Sequence, residues 1–504
     1  MTCRWDPDHL RTRFVQALSD MYRAEVPLYG HLVEIVRSVD DSVLASRRQR
    51  PDGDAIPVEQ GLPSRHRLER HGAIRLGTQH EMRTIGRLFA ILGMHPVGYY
   101  DLSQAPGGGF PLHGTAFRPT SEDLLRKNPF RVFTTVLRPD LIKSETVRST
   151  AQRILREREL FSPELYKLLD KFESFLSAAP NTKGHAPAAL TVQDADSLIT
   201  ESLKIFKWHS RSSPNVTFDT YGQLKAEHPV VADIVCFPSA HINHLTPRTL
   251  DIDAVQSEMV RRGLPAKERI EGPPPGRSCE ILLRQTSFKA LEEPVTFASS
   301  SPGTRDSQVD GTHTARFGEV EQRGAAVTLK GRRLYDFLLE EAALGAERVG
   351  REMNGGILTA LFRERYPDDW TTLRREGLVF FRYRVPSQFS GTGPCAGLKI
   401  DDGATIKMET LLEQGVVECE PITYEDFLPF SAAGIFKSNL GGNGLENMTA
   451  GPAVSHGYDD ARKELEVLLG QKIPSEIDLY ETLQGASVRE CERHLGLREG
   501  QIVL

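Results

Sequence analysis

Apolar residues at the start of the chain recur at helical spacing, with Leu10, Phe14 and Leu18 on one face, and the pattern predicts a helix. A second helical run follows over 27–43, and the polar, Pro- and Gly-rich stretch 48–64 reads as a connector. The pattern then changes. HGAIRLGT (71–78) alternates like a strand, EMRTIGRLFAILG (81–93) is an amphipathic helix stopped by Gly93, and VGYYDLS (97–103), HGTAFRP (113–119) and PFRVFTTVLRP (129–139) read as three further strands. The predicted order is β-α-β-β-β. Residues 140–230 are mostly helical in pattern, broken by the loop PNTKGHAPAA.

A second organised block starts near Val230. VVADIVCF (230–237) is apolar and rich in β-branched residues, and reads as a strand. A short helix is expected over 253–263, ending at Gly263, then long strands at EILLRQTSFKAL (280–291) and TARFGEVEQRGAAVTL (314–329), with a surface loop at 299–311 between them. Beyond 330 the pattern is mixed: a helix, strand-like residues near 378–385, Gly-rich loops at 391–397 and 441–444, and amphipathic helices near 457–470 and 486–496. His71 and His244 each open an H-x-x-x-R string, and each precedes a helix that stops at a glycine. This organisation suggests two related modules. The resulting division is 1–64 (helical segment and connector), 65–140 (first module), 141–229 (helical insertion), 230–330 (second module) and 331–504 (mixed region completing the pocket).

Composition narrows the class. The 504 residues are 39% hydrophobic and 26% charged, an ordinary globular balance. The net charge of −6 argues against nucleic acid as a partner. No apolar run is long enough for a membrane span, and the charged start MTCRWDPDHLRTRF does not resemble a secretory signal. The six cysteines are far apart, with no C-x-x-C, which fits neither a disulfide framework nor a zinc–thiolate site. The expected compartment is the cytoplasm.

Among fifteen histidines, context singles out two. His71 opens a strand in the first module and His244 holds the matching place in the second. Glu319 lies in FGEVEQRG, where Glu319 and Glu321 fall on one strand face. Two imidazoles and one carboxylate make a facial set that suits Fe(II) and leaves three adjacent positions for a bidentate substrate and dioxygen. The plainer reading of Glu319 and Glu321 is an exposed face balanced by Arg316 and Arg323. In an extended HINH stretch His241 and His244 point to opposite faces; Pro247 favours that geometry, placing His244 on a face with Thr246 and Arg248 and leaving His241 behind the site. Arg75 shares the face of His71. Four residues span about 13 Å, so a metal at His71 and a guanidinium at 75 can grip opposite ends of a short dicarboxylate. From spacing alone, a surface arginine paired with Glu69 or Glu81 is the plainer alternative. GGG (107–109) and GGNG (441–444) match no phosphate loop, and no G-x-S-x-G elbow is present.

In order along the chain, EVPLYGHLVEIV, RHGAIRLGT, LGMHPVGYYDLS, PFRVFTTVLRP, HINHLTPRTLDID, LLRQTSFKAL, HTARFGEVEQRGAA and YEDFLPFSAAGIFKSNL resemble the 2-oxoadipate dioxygenase/decarboxylase family. The resemblance implies an α+β fold of two βαβββ modules of vicinal-oxygen-chelate type, forming a metal-centred curved sheet with surrounding helical segments. It implies Fe(II) held by His71, His244 and Glu319, with substrate contacted at His71, Arg75, Phe430 and Ser431. His241, Glu321 and Arg248 stand behind these. Phe430 replaces a smaller aliphatic residue of the family pattern, so it either contacts substrate through its backbone or reshapes the pocket. The implied reaction converts 2-oxoadipate and O2 to (R)-2-hydroxyglutarate and CO2, in lysine catabolism. The implied partners are a small 2-oxo dicarboxylic acid and O2, with neither nucleic acid nor membrane; nothing points to a protein partner. Two other readings keep the metal: a vicinal-oxygen-chelate enzyme acting on a different 2-oxo acid, and a non-catalytic 2-oxo-acid-binding metalloprotein.

Overall fold

The computed structural model describes residues 6–48, 64–103, 109–177, 190–299, 308–348, 355–386, 405–428 and 458–504. The chain divides into two compact units. The first comprises Met1–Glu271, Arg284–Gln322 and Phe427–Ile473. Its strands are β1 (Glu69–Leu76), β2 (His95–Asp101), β3 (Leu112–Arg118), β4 (Arg131–Leu137), β5 (His244–Pro247), β6 (Leu283–Ser287), β7 (Glu292–Ala298), β8 (Gln308–Thr314) and β9 (Phe317–Arg323). Seven form one sheet in the order β2-β3-β4-β1-β5-β9-β6, while β7 and β8 pair apart as an antiparallel hairpin.

The order shows the two modules. In the first, β1 lies parallel to β4, with β3 and β2 following antiparallel. In the second, β5 lies parallel to β9, with β6 beyond. An antiparallel pairing of β1 with β5 joins them. The fold is therefore α+β, with two strand–helix–strand modules side by side; only three strands of the second enter the shared sheet.

Local chemistry sets the module helices. In the first, Gln79–Ile91, the Thr78 side chain accepts from the Glu81 amide at 3.1 Å while Glu81 accepts from the Thr78 amide at 3.2 Å. This reciprocal cap satisfies amides that the helix leaves unpaired. In the second, Ile252–Arg261, Asp251 caps the Ala254 amide at 2.9 Å, the capping role its position predicts. Both helices end on a glycine in the left-handed region, Gly93 at φ 70° and Gly263 at φ 76°, where a Cβ would be strained.

All eight positions of β1 are buried, because both sheet faces are covered. On one face Ile74, Val132, Leu245 and Val320 join a core with Leu10, Phe14, Leu32 and Phe89 of the flanking helices. On the other, Ala73, Ala116 and Phe133 pack with Val231, Val235 and Phe427.

Three expectations are corrected. Residues 230–237 are not a strand: Pro229–Val235 is a helix, with Pro229 in its first turn and His228 accepting from the Val230 amide at 3.1 Å. Residues 230–235 are all buried, so the apolar run has no polar face to reveal its period. The stretch 280–291 contains only the short β6, and β7 begins at Glu292. The expected 299–311 loop is shorter, because β8 starts at Gln308; residues 300–307 lie outside the described ones.

The second unit comprises Gly272–Leu283, Arg323–Asp426 and Pro474–Leu504. It contains the helices Leu329–Arg348, Gly355–Arg365 and Glu476–His494. Two small sheets complete it, β10 (Phe381–Arg384) with β12 (Glu418–Pro421) and β11 (Ile406–Lys407) with β13 (Ile502–Val503). The Tyr480 hydroxyl bridges the Glu425 amide and Asp426 Oδ2, both at 2.6 Å. Among the described residues no helix is long and apolar enough to cross a membrane.

Candidate metal centre

Three adjacent central strands bring the predicted ligands together. The β1–β5 register sets His71 opposite Thr246 and Ala73 opposite His244. The β5–β9 register sets His244 beside Phe317, with Glu319 two residues further along. Alternation then points His71, His244 and Glu319 to one face. Each offers one ligand atom within 4.8 Å of the others, and each is at most 3% exposed.

Glycines make this packing possible. Gly72 follows His71 and Gly318 precedes Glu319, each turned to the opposite face. A Cβ at Gly72 would meet Ile242 Cδ1 at 2.7 Å, and one at Gly318 would meet Phe288 Cε1 at 2.5 Å.

The site is built around His71. Its Nε2 lies 2.8 Å from Glu319 Oε1 and 3.0 Å from Thr246 Oγ1. Its Nδ1 lies 2.8 Å from Glu321 Oε2, an ion-pair distance off the line of a hydrogen bond. Arg131 donates to both Glu321 oxygens at 3.1 and 3.0 Å, and Arg70 approaches at 3.6 Å. The backbone of Arg248 forms an isolated parallel β-bridge with that of Glu321. Burial, reinforced by Arg131 and Arg70, holds the His71 imidazole well below its usual range and hence neutral. His244 is held low first by burial, then by His71 and Arg75. Burial pushes the Glu319 carboxyl well up, with Lys267 opposing and Glu271 and Glu321 adding to the rise.

The donors fit a metal ion. Both His244 nitrogens are buried without a hydrogen-bond partner among the described residues, although the ring stacks on Phe317 at 4.6 Å. Such an imidazole has lost water and gained no protein partner. A cation shared with Glu319 and His71 supplies one, and also offsets the cost of burying the carboxylate.

The reading of Glu319 and Glu321 as an exposed face is excluded, since both are buried. Arg316 is engaged elsewhere, with Glu25 at 2.6 Å and Glu293 at 2.5 Å. Arg75 is neither on the surface nor paired with Glu69 or Glu81. It is buried, and its Nη1 lies 2.5 Å from Asp233 Oδ2. Glu69 instead accepts from Ser19 and Tyr29, and Glu81 pairs with Arg158. His241 stands one step further back, its Nε2 3.1 Å from Asp233 Oδ1.

With this geometry in view, comparison with known proteins identifies the lineage. The family model described as 2-oxoadipate dioxygenase/decarboxylase matches residues 14–439. This chain belongs to the 2-oxoadipate dioxygenase/decarboxylase family. As a member it is an enzyme. It is 46% identical to the protein of that name from Escherichia coli K12, over 96% of this chain and 98% of that one. It is 42% identical to the one from Pseudomonas putida, over 97% and 98%. Among solved structures, hydroxyglutarate synthase from Pseudomonas putida in complex with 2-oxoadipate aligns with a TM-score of 0.78 at 40% identity, over 98% of this chain and 99% of that one. An uncharacterised Shigella flexneri protein aligns with a TM-score of 0.76 at 40% identity, over 96% and 99%.

Of the segment that carries the family's DFLPFSAAG string, Asp426, Phe427 and Leu428 are described, and Phe430 and Ser431 lie outside the described residues. Phe427 meets the His71 ring edge-on at 4.7 Å and lies beneath the Arg131 guanidinium at 4.9 Å. Sequence reasoning missed Phe427, Thr246 as a contact of both His71 and Glu319, and Asp233 with His313. The strand pattern held a signal for Thr246, which alternates with His244. None existed for Asp233, hidden in a stretch read as a strand.

Proposed function

We propose that this enzyme converts 2-oxoadipate and O2 to (R)-2-hydroxyglutarate and CO2, using Fe(II) held by His71, His244 and Glu319. The supporting observation is the buried pair of imidazoles and one carboxylate, with both His244 nitrogens left for a ligand, in a chain of this family. The donor set suits ferrous iron, which when bound supplies the redox chemistry that lets a 2-oxo acid react with dioxygen. The reaction balances without a second substrate: one carbon leaves as CO2 and both oxygen atoms of O2 stay in the products.

The chain's own residues bind, orient and exclude water. Neutral His71 and His244 are ready to donate lone pairs. Glu321, between His71 and Arg131, places its negative charge against the imidazole and helps hold the ring in place. Phe427, Phe133 and Phe317 supply an apolar wall. Arg75 takes the distal carboxylate, which sets substrate length and the face presented for hydroxylation. The family resemblance supports Phe430 and Ser431 as further substrate contacts, His241 and Arg248 as residues that stand behind the site, and a role in lysine breakdown.

Anaerobic loading with Fe(II), followed by 2-oxoadipate and air, should give 2-hydroxyglutarate with matching O2 uptake. His244→Ala should lose bound iron and turnover together while keeping its circular dichroism. Retention of both would remove His244 from the ligand set, and tight 2-oxoadipate binding without turnover would make the protein a sensor.

A further inference from the structure

Behind Arg75 lies a second buried cluster that the reaction above does not use. Asp233, on the helix Pro229–Val235, presents Oδ2 to Arg75 Nη1 at 2.5 Å. Its Oδ1 faces two imidazoles, His241 Nε2 at 3.1 Å and His313 Nε2 at 2.9 Å. His313 Nδ1 lies 3.0 Å from the Tyr221 hydroxyl, which donates to the Thr312 carbonyl at 3.1 Å. Trp208 meets the His241 ring edge-on at 4.8 Å and stacks on His313 at 6.1 Å, while Phe237 contacts both. His241, Asp233 and His313 are all at most 3% exposed.

We infer that Asp233, gripped by His241 and His313, is the positioning residue that fixes the Arg75 guanidinium and so sets which dicarboxylate chain length the site accepts. A long, flexible arginine side chain gives up rotamer freedom when fixed, and a carboxylate that could itself swing would fix it poorly. Here one carboxylate oxygen is held by two imidazoles and the other meets the guanidinium. The imidazoles are in turn wedged by aromatic rings. Burial alone would raise the Asp233 carboxyl, but Arg75 and His241 outweigh it and keep the group well below the usual carboxylate range, so it stays an anion. Arg75 can accept a substrate carboxylate while Asp233 holds it, because a guanidinium has five N–H groups in a planar fork.

The ligand atoms of Asp233, His241 and His313 also lie within 4.8 Å of one another, a donor set compatible with a second cation. Arg75 argues against it. Its positive charge already sits on the same carboxylate at hydrogen-bond distance, and a divalent ion there would meet it directly.

The inference rests on Arg75 binding the distal carboxylate, and the experiment separates the two claims. Iron-loaded enzyme is assayed with 2-oxoglutarate, 2-oxoadipate, 2-oxopimelate and the monocarboxylic 2-oxohexanoate. Arg75→Met should raise KM for the dicarboxylates and not for 2-oxohexanoate; equal effects on all four would end the Arg75 reading itself. Asp233→Asn has one oxygen for three donors. It should raise KM for 2-oxoadipate about tenfold or more, flatten the preference among the three dicarboxylates, and change kcat and iron content far less. His313→Leu should reproduce this effect, and His313→Gln, which restores an N–H donor, should recover most of the preference. This pair decides the matter should Asp233→Asn fail to fold. If Arg75→Met shifts selectivity while the Asp233 and His313 variants leave it untouched, Asp233 has no positioning role. If wild-type enzyme carries a second equivalent of metal that these variants lose, the cluster is a cation site and the inference falls.

Discussion

Glu319 and Glu321 close on the two nitrogens of a single imidazole. Glu319 Oε1 stands 2.8 Å from His71 Nε2, and Glu321 Oε2 stands 2.8 Å from His71 Nδ1. Residues two apart on a strand share a face, so one stretch of β9 supplies both a proposed metal ligand and the group that steadies the proposed ligand beside it. The acidic alternation in FGEVEQRG therefore encodes two different jobs.

Replacing Glu321 with Gln should separate those jobs. The ligand set is intact, but the carboxylate that holds His71 loses its charge, and metal affinity should fall about 10- to 100-fold. Arg131 and Arg70, both buried, lose their shared anion, which should destabilise the apoprotein by about 3–5 kcal/mol. Metal titration and chemical denaturation measure the two effects independently. Unchanged affinity would show that Glu321 serves only the arginines.

Gly318→Ala tests the close approach behind Glu319. The added Cβ would come within 2.5 Å of Phe288 Cε1 and 2.9 Å of Tyr29 Cδ2. Overpacking of this kind costs about 1–3 kcal/mol. Calorimetry should show a lower Tm, and a second change, Phe288→Leu, should recover part of it. A wild-type Tm in Gly318→Ala would mean that the strand has room to shift.

His113 should make stability depend on pH. Burial, aided by Arg138, lowers its imidazole from 6.5 to about 4, against small opposing effects of Asp101 and Asp140. Between these values the unfolded chain binds a proton that the folded chain does not. Stability therefore rises with pH across that window. The contribution is complete above about pH 6.5 and is lost as pH falls toward 4, at most about 3 kcal/mol in all. Denaturation curves from pH 7 to 4 should show a slope smaller by up to one proton in His113→Gln. An identical slope would place the acid sensitivity elsewhere.

Much of the site was legible because the strand period fixes faces without knowledge of the fold. His71 and Arg75, His244 and Thr246, and Glu319 and Glu321 each pair by alternation. The H-x-x-x-R strings and helix-ending glycines at 93 and 263 marked the two modules. Legibility failed where burial was complete on every side. The run 230–237 is apolar but for Asp233, and 230–235 are buried on every side, so its helical period was invisible, and with it the helix that carries Asp233. The departure of β7 and β8 from the sheet also left no local trace, because pairing partners are chosen by tertiary packing. Phe427 lies within a family string, but only its contact with His71 gives it a role.

The proposed reaction is tested most directly by product mass spectrometry after iron-loaded enzyme turns over 2-oxoadipate under isotopically heavy O2. The expected product is 2-hydroxyglutarate carrying both heavy atoms, one in the new hydroxyl and one in the new carboxylate, with unlabelled CO2. Product formed without O2, or product lacking the label, would contradict it.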